Sequence, residues 1–154
     1  MKNDAYWIGK AIRLATQNII KGGGPFACII VKDGEILARG VNKVVSMHDP
    51  TAHAEIQAIR NACKNLKSHQ LDECVIYASC EPCPMCFGAI YWARPKRVVF
   101  AATKEQAAVA GFDDAMIYKA IADGKGNIPL NHLVLPNAND PFDKWIIKHD
   151  KDVY

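Results

Sequence analysis

The sequence predicts an α/β protein in which helices flank a central sheet, and three observations carry that prediction. Apolar residues recur at helical spacing in long segments, short β-rich runs alternate with them, and glycine or proline marks most changes of period. From Asp4 to Ile20 the positions Trp7, Ile8, Ala11, Ile12, Ala15 and Ile19 share a face, while Lys10, Arg13 and Gln17 lie largely elsewhere, as in an amphipathic helix. Gly22-Gly23-Gly24-Pro25 stops it. Phe26 to Val31 and Glu35 to Val41 read as strands of a hairpin turning at Lys32-Asp33-Gly34. Asp49-Pro50-Thr51 precedes a second helix from Ala52 to Leu66, with Ile56, Ile59, Ala62, Cys63 and Leu66 on its buried face. A strand over Cys74 to Ala78, a short helix over Cys83 to Trp92 and a strand over Val98 to Ala102 follow, punctuated by Pro82, Pro84 and Pro95. Thr103 to Ala110 and Ala115 to Ala122 read as helices around Gly111-Phe112-Asp113-Asp114, followed by a strand near Leu133 to Leu135 and a terminal helix from Phe142 onward.

With 154 residues, half of them apolar, and no repeat or linker, residues 1–154 are expected to form a single domain. A formal charge of +3, from 19 Lys and Arg against 16 Asp and Glu, is too small and too scattered to predict a nucleic-acid or membrane surface. No apolar run approaches the roughly 20 residues that cross a bilayer. Met1-Lys2-Asn3-Asp4 does not begin an export signal, so a cytoplasmic protein with reduced thiols is expected. Cys28, Cys63 and Cys74 fall in apolar elements and read as small core residues.

The sharpest chemical signal is His53-Ala54-Glu55 followed by Pro82-Cys83-Pro84-Met85-Cys86, each at a helix start. One imidazole and two thiolates suit zinc and leave a fourth tetrahedral position for water, as in a catalytic site. Free backbone donors at the start of the second of these helices would stabilise thiolates on Cys83 and Cys86. Alone, Cys83 and Cys86 equally fit a redox pair or half of a structural zinc site, for which Cys28, Cys63, Cys74, Cys80 or His48 could supply a fourth ligand. Cys80 adjoins the motif and is expected in the wall of the site, and His48 reads as a loop residue.

His-x-Glu with Pro-Cys-x-x-Cys resembles the signature of the cytidine-deaminase-like zinc hydrolases. That resemblance implies a three-layer α/β/α fold with a central mixed sheet, and one Zn2+ per chain held by His53, Cys83 and Cys86. It also implies attack of water on an amidine-like ring carbon, proton transfer by Glu55 and loss of ammonia. Across nearly the whole chain the sequence is similar to the bacterial guanine deaminase family, through Gly23-Gly24-Pro25-Phe26, the segments 49–55, 79–86 and 89–94, Gly111-Phe112-Asp113-Asp114 and Tyr154. Segment 49–55 is shared with tRNA adenosine deaminases; Gly111 to Asp114 and Tyr154 carry the choice.

This closer resemblance implies conversion of guanine and water to xanthine and ammonia by attack at C2. Asp114 would join Glu55 as a catalytic group and accept hydrogen bonds from the donor edge of the base, while Phe26, Asn42, Ala54, Trp92 and Tyr154 would contact substrate. It further implies a homodimer in which residues 142–154 cap the partner's active site. Read without the resemblance, Asp114 is a helix cap, Asn42 a turn residue, Phe26 and Trp92 core aromatics, and Tyr154 a frayed terminus. Deamination of another nucleobase, a nucleoside or tRNA adenosine, and a non-catalytic zinc module, are the competing functions.

Overall fold

Asn3 opens the first helix, α1 (Asp4–Ile20), by accepting a hydrogen bond from the Tyr6 amide on its side chain at 3.0 Å, which satisfies a donor of the first turn. The structure is a computed structural model and describes residues 2–124 and 126–154. Strands β1 (Ala27–Lys32) and β2 (Glu35–Val41) pair antiparallel across Asp33-Gly34, whose φ values of +50° and +76° suit a tight two-residue hairpin turn. A single helical turn, α2 (Val44–Met47), interrupts the following loop; four residues are too few for a helical period to announce it. Then come α3 (Ala54–Leu66), β3 (Val75–Cys80), α4 (Pro84–Ala93) and β4 (Arg97–Ala102). The strand order is β2-β1-β3-β4, with β3 antiparallel to β1 and parallel to β4, so the sheet is mixed.

Strand alternation sorts the core into two layers. Cys28 and Ile30 of β1 pack with Ala54, Ala58, Ala62 and Ile90 from α3 and α4, whereas Ile29 and Val31 pack with Trp7, Ala11 and Tyr77 on the α1 side. Helices therefore cover both faces, as predicted. Gly40 on β2 lies directly beneath α3: a Cβ there would overlap the Ala54 carbonyl oxygen and the Ala58 amide nitrogen. On the opposite face, Arg97 donates to both carboxylate oxygens of Asp4 at 3.0 and 2.8 Å and the Tyr77 hydroxyl donates to Asp4 Oδ1 at 2.7 Å, tying α1 to β3 and β4.

The last third comprises α5 (Lys104–Val109), α6 (Ala115–Asp123) and α7 (Asp140–Ile147). The strand expected near Leu133 to Leu135 is absent: these residues form irregular backbone with Leu133 and Val134 about three-quarters exposed (74% and 78%), and β4 pairs only with β3 among the described residues. Apolar content alone does not make a strand without a partner ladder. The terminal helix stops at Ile147, where Lys148 turns to extended backbone. Among the described residues no helix is long and apolar enough to cross a membrane.

Candidate active site

Two helix N-termini meet at the C-terminal end of the parallel strand pair. His53 is the N-cap of α3 and Cys83 the N-cap of α4, both with extended backbone, and Pro84 occupies the first turn of α4 where its missing N–H costs nothing. Glu55 and Cys86 follow within those first turns. His53 Nδ1 lies 3.5 Å from Cys83 Sγ and 3.6 Å from Cys86 Sγ. A tetrahedral zinc with bonds of about 2.0–2.1 Å to nitrogen and about 2.3 Å to sulfur sets those donors roughly 3.5 Å apart. The donor set and its spacing therefore fit zinc. Among the described residues the cluster contains these three ligands and no fourth. Cys28 and Cys74 are fully buried in the core, Cys80 directs its thiol toward the Thr103 carbonyl at 3.8 Å, and neither Cys63 nor His48 joins the cluster, so none of the five candidates supplies a fourth ligand for a closed structural site.

The Cys86 thiol and His53 beside it draw the Cys83 thiol down to about 4, against the opposing effect of burial, while the Cys83 sulfur and burial push Cys86 well above the thiol range. The hydrogen bond with Cys83 raises His53. Glu55 is 8% exposed; burial raises its carboxyl, and Cys86 Sγ donates to its Oε2 at 3.5 Å. It stands beside the ligands without completing the set.

A cavity of about 560 Å³ opens over this cluster. Glu55, His53 and Cys83 share it with Phe26, Asn42 and Asp114. Phe26 and Phe112 meet edge to face at 4.9 Å, so the β1 entry and the segment before α6 form one apolar wall. Asp114 precedes α6 but makes no capping bond; Asp113 Oδ1 takes that role by accepting from the Ala115 amide at 2.9 Å. Burial, then the charge of Cys83, raises the Asp114 carboxyl. Asn42 is both turn residue and pocket residue, its Oδ1 accepting from the Val44 amide at 3.3 Å. Cys80 lines the cavity as expected, with its thiol pushed up to about 11 by burial.

Three of the expected substrate contacts are not among the residues lining the cavity of their own chain. Ala54, the first residue of α3, is buried with its carbonyl against Gly40 and is not among the residues lining the cavity. Trp92 and Tyr154 are both exposed, and their rings sit 5.8 Å apart, away from the cavity of their own chain. His48 is also outside it. Sequence reasoning missed Glu81 and Lys104, which line the cavity as an ion pair at 3.2 Å, with Glu81 also accepting from the Lys104 amide at 3.1 Å. Their separation along the chain hides the pair, although Glu81 adjoins Pro82-Cys83.

A mixed sheet carrying an imidazole and two thiols at paired helix N-termini defines a zinc hydrolase of the base-deaminase type. Residues 1–102 match the family described as the cytidine and deoxycytidylate deaminase zinc-binding region, and the chain belongs to that family. Guanine deaminase from Bacillus subtilis (strain 168) is 51% identical over 146 residues, covering 93% of this chain and 94% of that one. The X-ray structure of guanine deaminase from Bacillus subtilis superposes with a TM-score of 0.97 at 49% identity, over 99% of both chains. A tRNA-specific adenosine deaminase from Aquifex aeolicus (strain VF5) is 42% identical over 97 residues, 63% of this chain and 64% of that one.

Proposed function

We propose that this protein is a zinc-dependent guanine aminohydrolase that converts guanine and water to xanthine and ammonia. The observation that carries the reading is that Asp114, beyond the region matched at residues 1–102, faces the same cavity as Glu55 and the three-ligand cluster. The guanine deaminase relative aligns over 93% of the chain, whereas the tRNA-specific relative aligns over 63%. Since the cavity is lined from Gly22 to Asp114, the site needs more than the matched region, which supports one catalytic domain over residues 1–154.

His53, Cys83 and Cys86 would hold the ion, which when bound polarises water and lowers its pKa toward neutrality. Glu55 takes the water proton and passes protons to a ring nitrogen and to the departing amine; burial, which raises its carboxyl, suits a group that carries a proton between them. Asp114 accepts from the N1–H and 2-amino edge, which orients C2 toward the cluster and holds the leaving nitrogen. Phe26 covers a ring face, backed by Phe112. Asn42, with Oδ1 engaged by Val44, offers its Nδ2 donor to an acceptor on the base.

The protein acts as a homodimer in which residues 142–154 reach the partner's active site. Supporting this, Trp92 and Tyr154 stand together outside their own cavity, and Leu130, Val134 and Phe142 are 94%, 78% and 66% exposed. A cytoplasmic setting accords with free cysteines throughout.

Ammonia release from zinc-loaded protein across guanine, guanosine, cytosine, cytidine, adenine and a tRNA adenosine substrate tests the reading. Guanine-selective release with xanthine formation is expected. Turnover of another substrate with guanine inert would overturn the pocket assignment, and inertness to all at full zinc loading would restore the binding-module reading.

A further inference from the structure

Asn18 is a polar side chain on the buried stripe of α1, 7% exposed. A buried amide must find partners, and its Nδ2 donates to the carbonyl of Gly24 at 2.8 Å and to the carbonyl of Asn42 at 2.9 Å. Its own backbone carbonyl accepts from the Gly23 amide at 2.9 Å. Gly23, Gly24 and Asn42 all line the cavity, yet they belong to separate segments, the loop after α1 and the end of β2. One amide thus spans the two.

The glycines are shaped to this clamp. Gly23 is outside the left-handed region, and a Cβ on it would overlap the Asn18 side-chain amide, so the position needs glycine for space. A Cβ on Gly24 would stand 3.0 Å from Asn42 Oδ1. Asn42 is further held by its N–H donating to the Phe26 carbonyl at 3.1 Å and by Oδ1 accepting from Val44. These contacts fix which end of the Asn42 amide is left for a ligand.

We infer that Asn18 is a positioning residue for base recognition, its side-chain amide setting the Gly23-Gly24 rim against Asn42 and so placing the Asn42 donor opposite a ring acceptor of the purine. The inference rests on the proposed role of Asn42 at the guanine site. Asn18 itself touches no substrate.

Asn18→Ala and Gly23→Ala, alone and with Asn42→Ala, test it. In both single variants KM for guanine should rise about tenfold or more, with kcat within about threefold and zinc content unchanged. In the Asn42→Ala background the increment from Asn18→Ala should shrink to less than about threefold, because the residue it positions is gone. Amide hydrogen exchange at Gly23, Asn42 and Val44 should quicken in the single variants. Unchanged exchange at these amides, or an undiminished KM increment in the double variant, would overturn the inference. Gly23→Ala keeps the test open if Asn18→Ala does not fold. A parent protein inert to guanine would sink the functional reading alone, since the exchange measurement still decides the role of Asn18.

Discussion

Glu55 Oε2 and Cys86 Sγ lie 3.5 Å apart, so a carboxylate that is not part of the three-ligand set is nevertheless held against it. Replacing Glu55 with Gln keeps the shape and removes the proton carrier. Glu55→Gln is expected to retain zinc and lose about 10²–10⁴-fold in kcat; zinc content and ammonia release on the same sample check it, and near-parental turnover would remove Glu55 from the proton path.

Cys83 at the N-cap and Cys86 in the first turn of α4 present the thiols to helix N–H dipoles. Cys83→Ser and Cys86→Ser should each lower zinc stoichiometry below one per chain and abolish turnover, and dialysis of the parent against a chelator should do the same reversibly. Recovery of activity on adding zinc back to the parent but not to the variants is the expected pattern.

Adjacent aspartates should separate by phenotype. Both line the cavity, but Asp113 Oδ1 is engaged by the Ala115 amide, whereas Asp114 makes no capping bond. Asp113→Ala is expected to cost about 1 kcal/mol of stability with turnover largely kept, and Asp114→Asn to lower kcat/KM for guanine by at least about tenfold with little change in Tm. Thermal melts and steady-state kinetics on the two variants distinguish them.

Subunit exchange can be read by complementation. A chain truncated before Tyr154 and a Glu55→Gln chain should each be poorly active, and mixed after unfolding and refolding together they should regain activity, because the intact Glu55 of one meets the intact terminus of the other. No recovery in a verified mixed dimer would place the terminus outside the partner's site.

Asp4 gives the pH dependence a sign. Arg97, then Tyr77, hold its carboxyl below the ordinary value of 3.8, so the ion pair contributes stability above that value and loses it as pH falls through the lowered one. The Tm gap between the parent and Asp4→Asn should be present at neutral pH and close as pH falls below the ordinary carboxylate range.

Period and punctuation were enough to read α1, α3, α4 and all four strands of the sheet within a residue or two, because most of them have a buried face and α1, β1, β3 and α4 are each followed within two residues by a glycine or proline. His53, Glu55, Cys83 and Cys86 were equally readable, since both halves of the cluster are short contiguous motifs at helix starts. Asn18 was not. A polar residue near the end of an amphipathic helix looks like solvent face, and only the return of β2 shows that it bridges residues 24 positions away. Leu133 to Leu135 failed for the converse reason, apolar residues with no neighbouring strand to bond.

Gly40 touches no ligand and lies outside the cavity, yet the first turn of α3, which begins at the imidazole, rests on its bare backbone. Any side chain there would lift that turn and carry the imidazole away from the two sulfurs. A mutational scan scored only on ammonia release would therefore rank Gly40 with the ligands themselves, and in an engineering campaign that alters substrate preference it belongs among the positions left untouched.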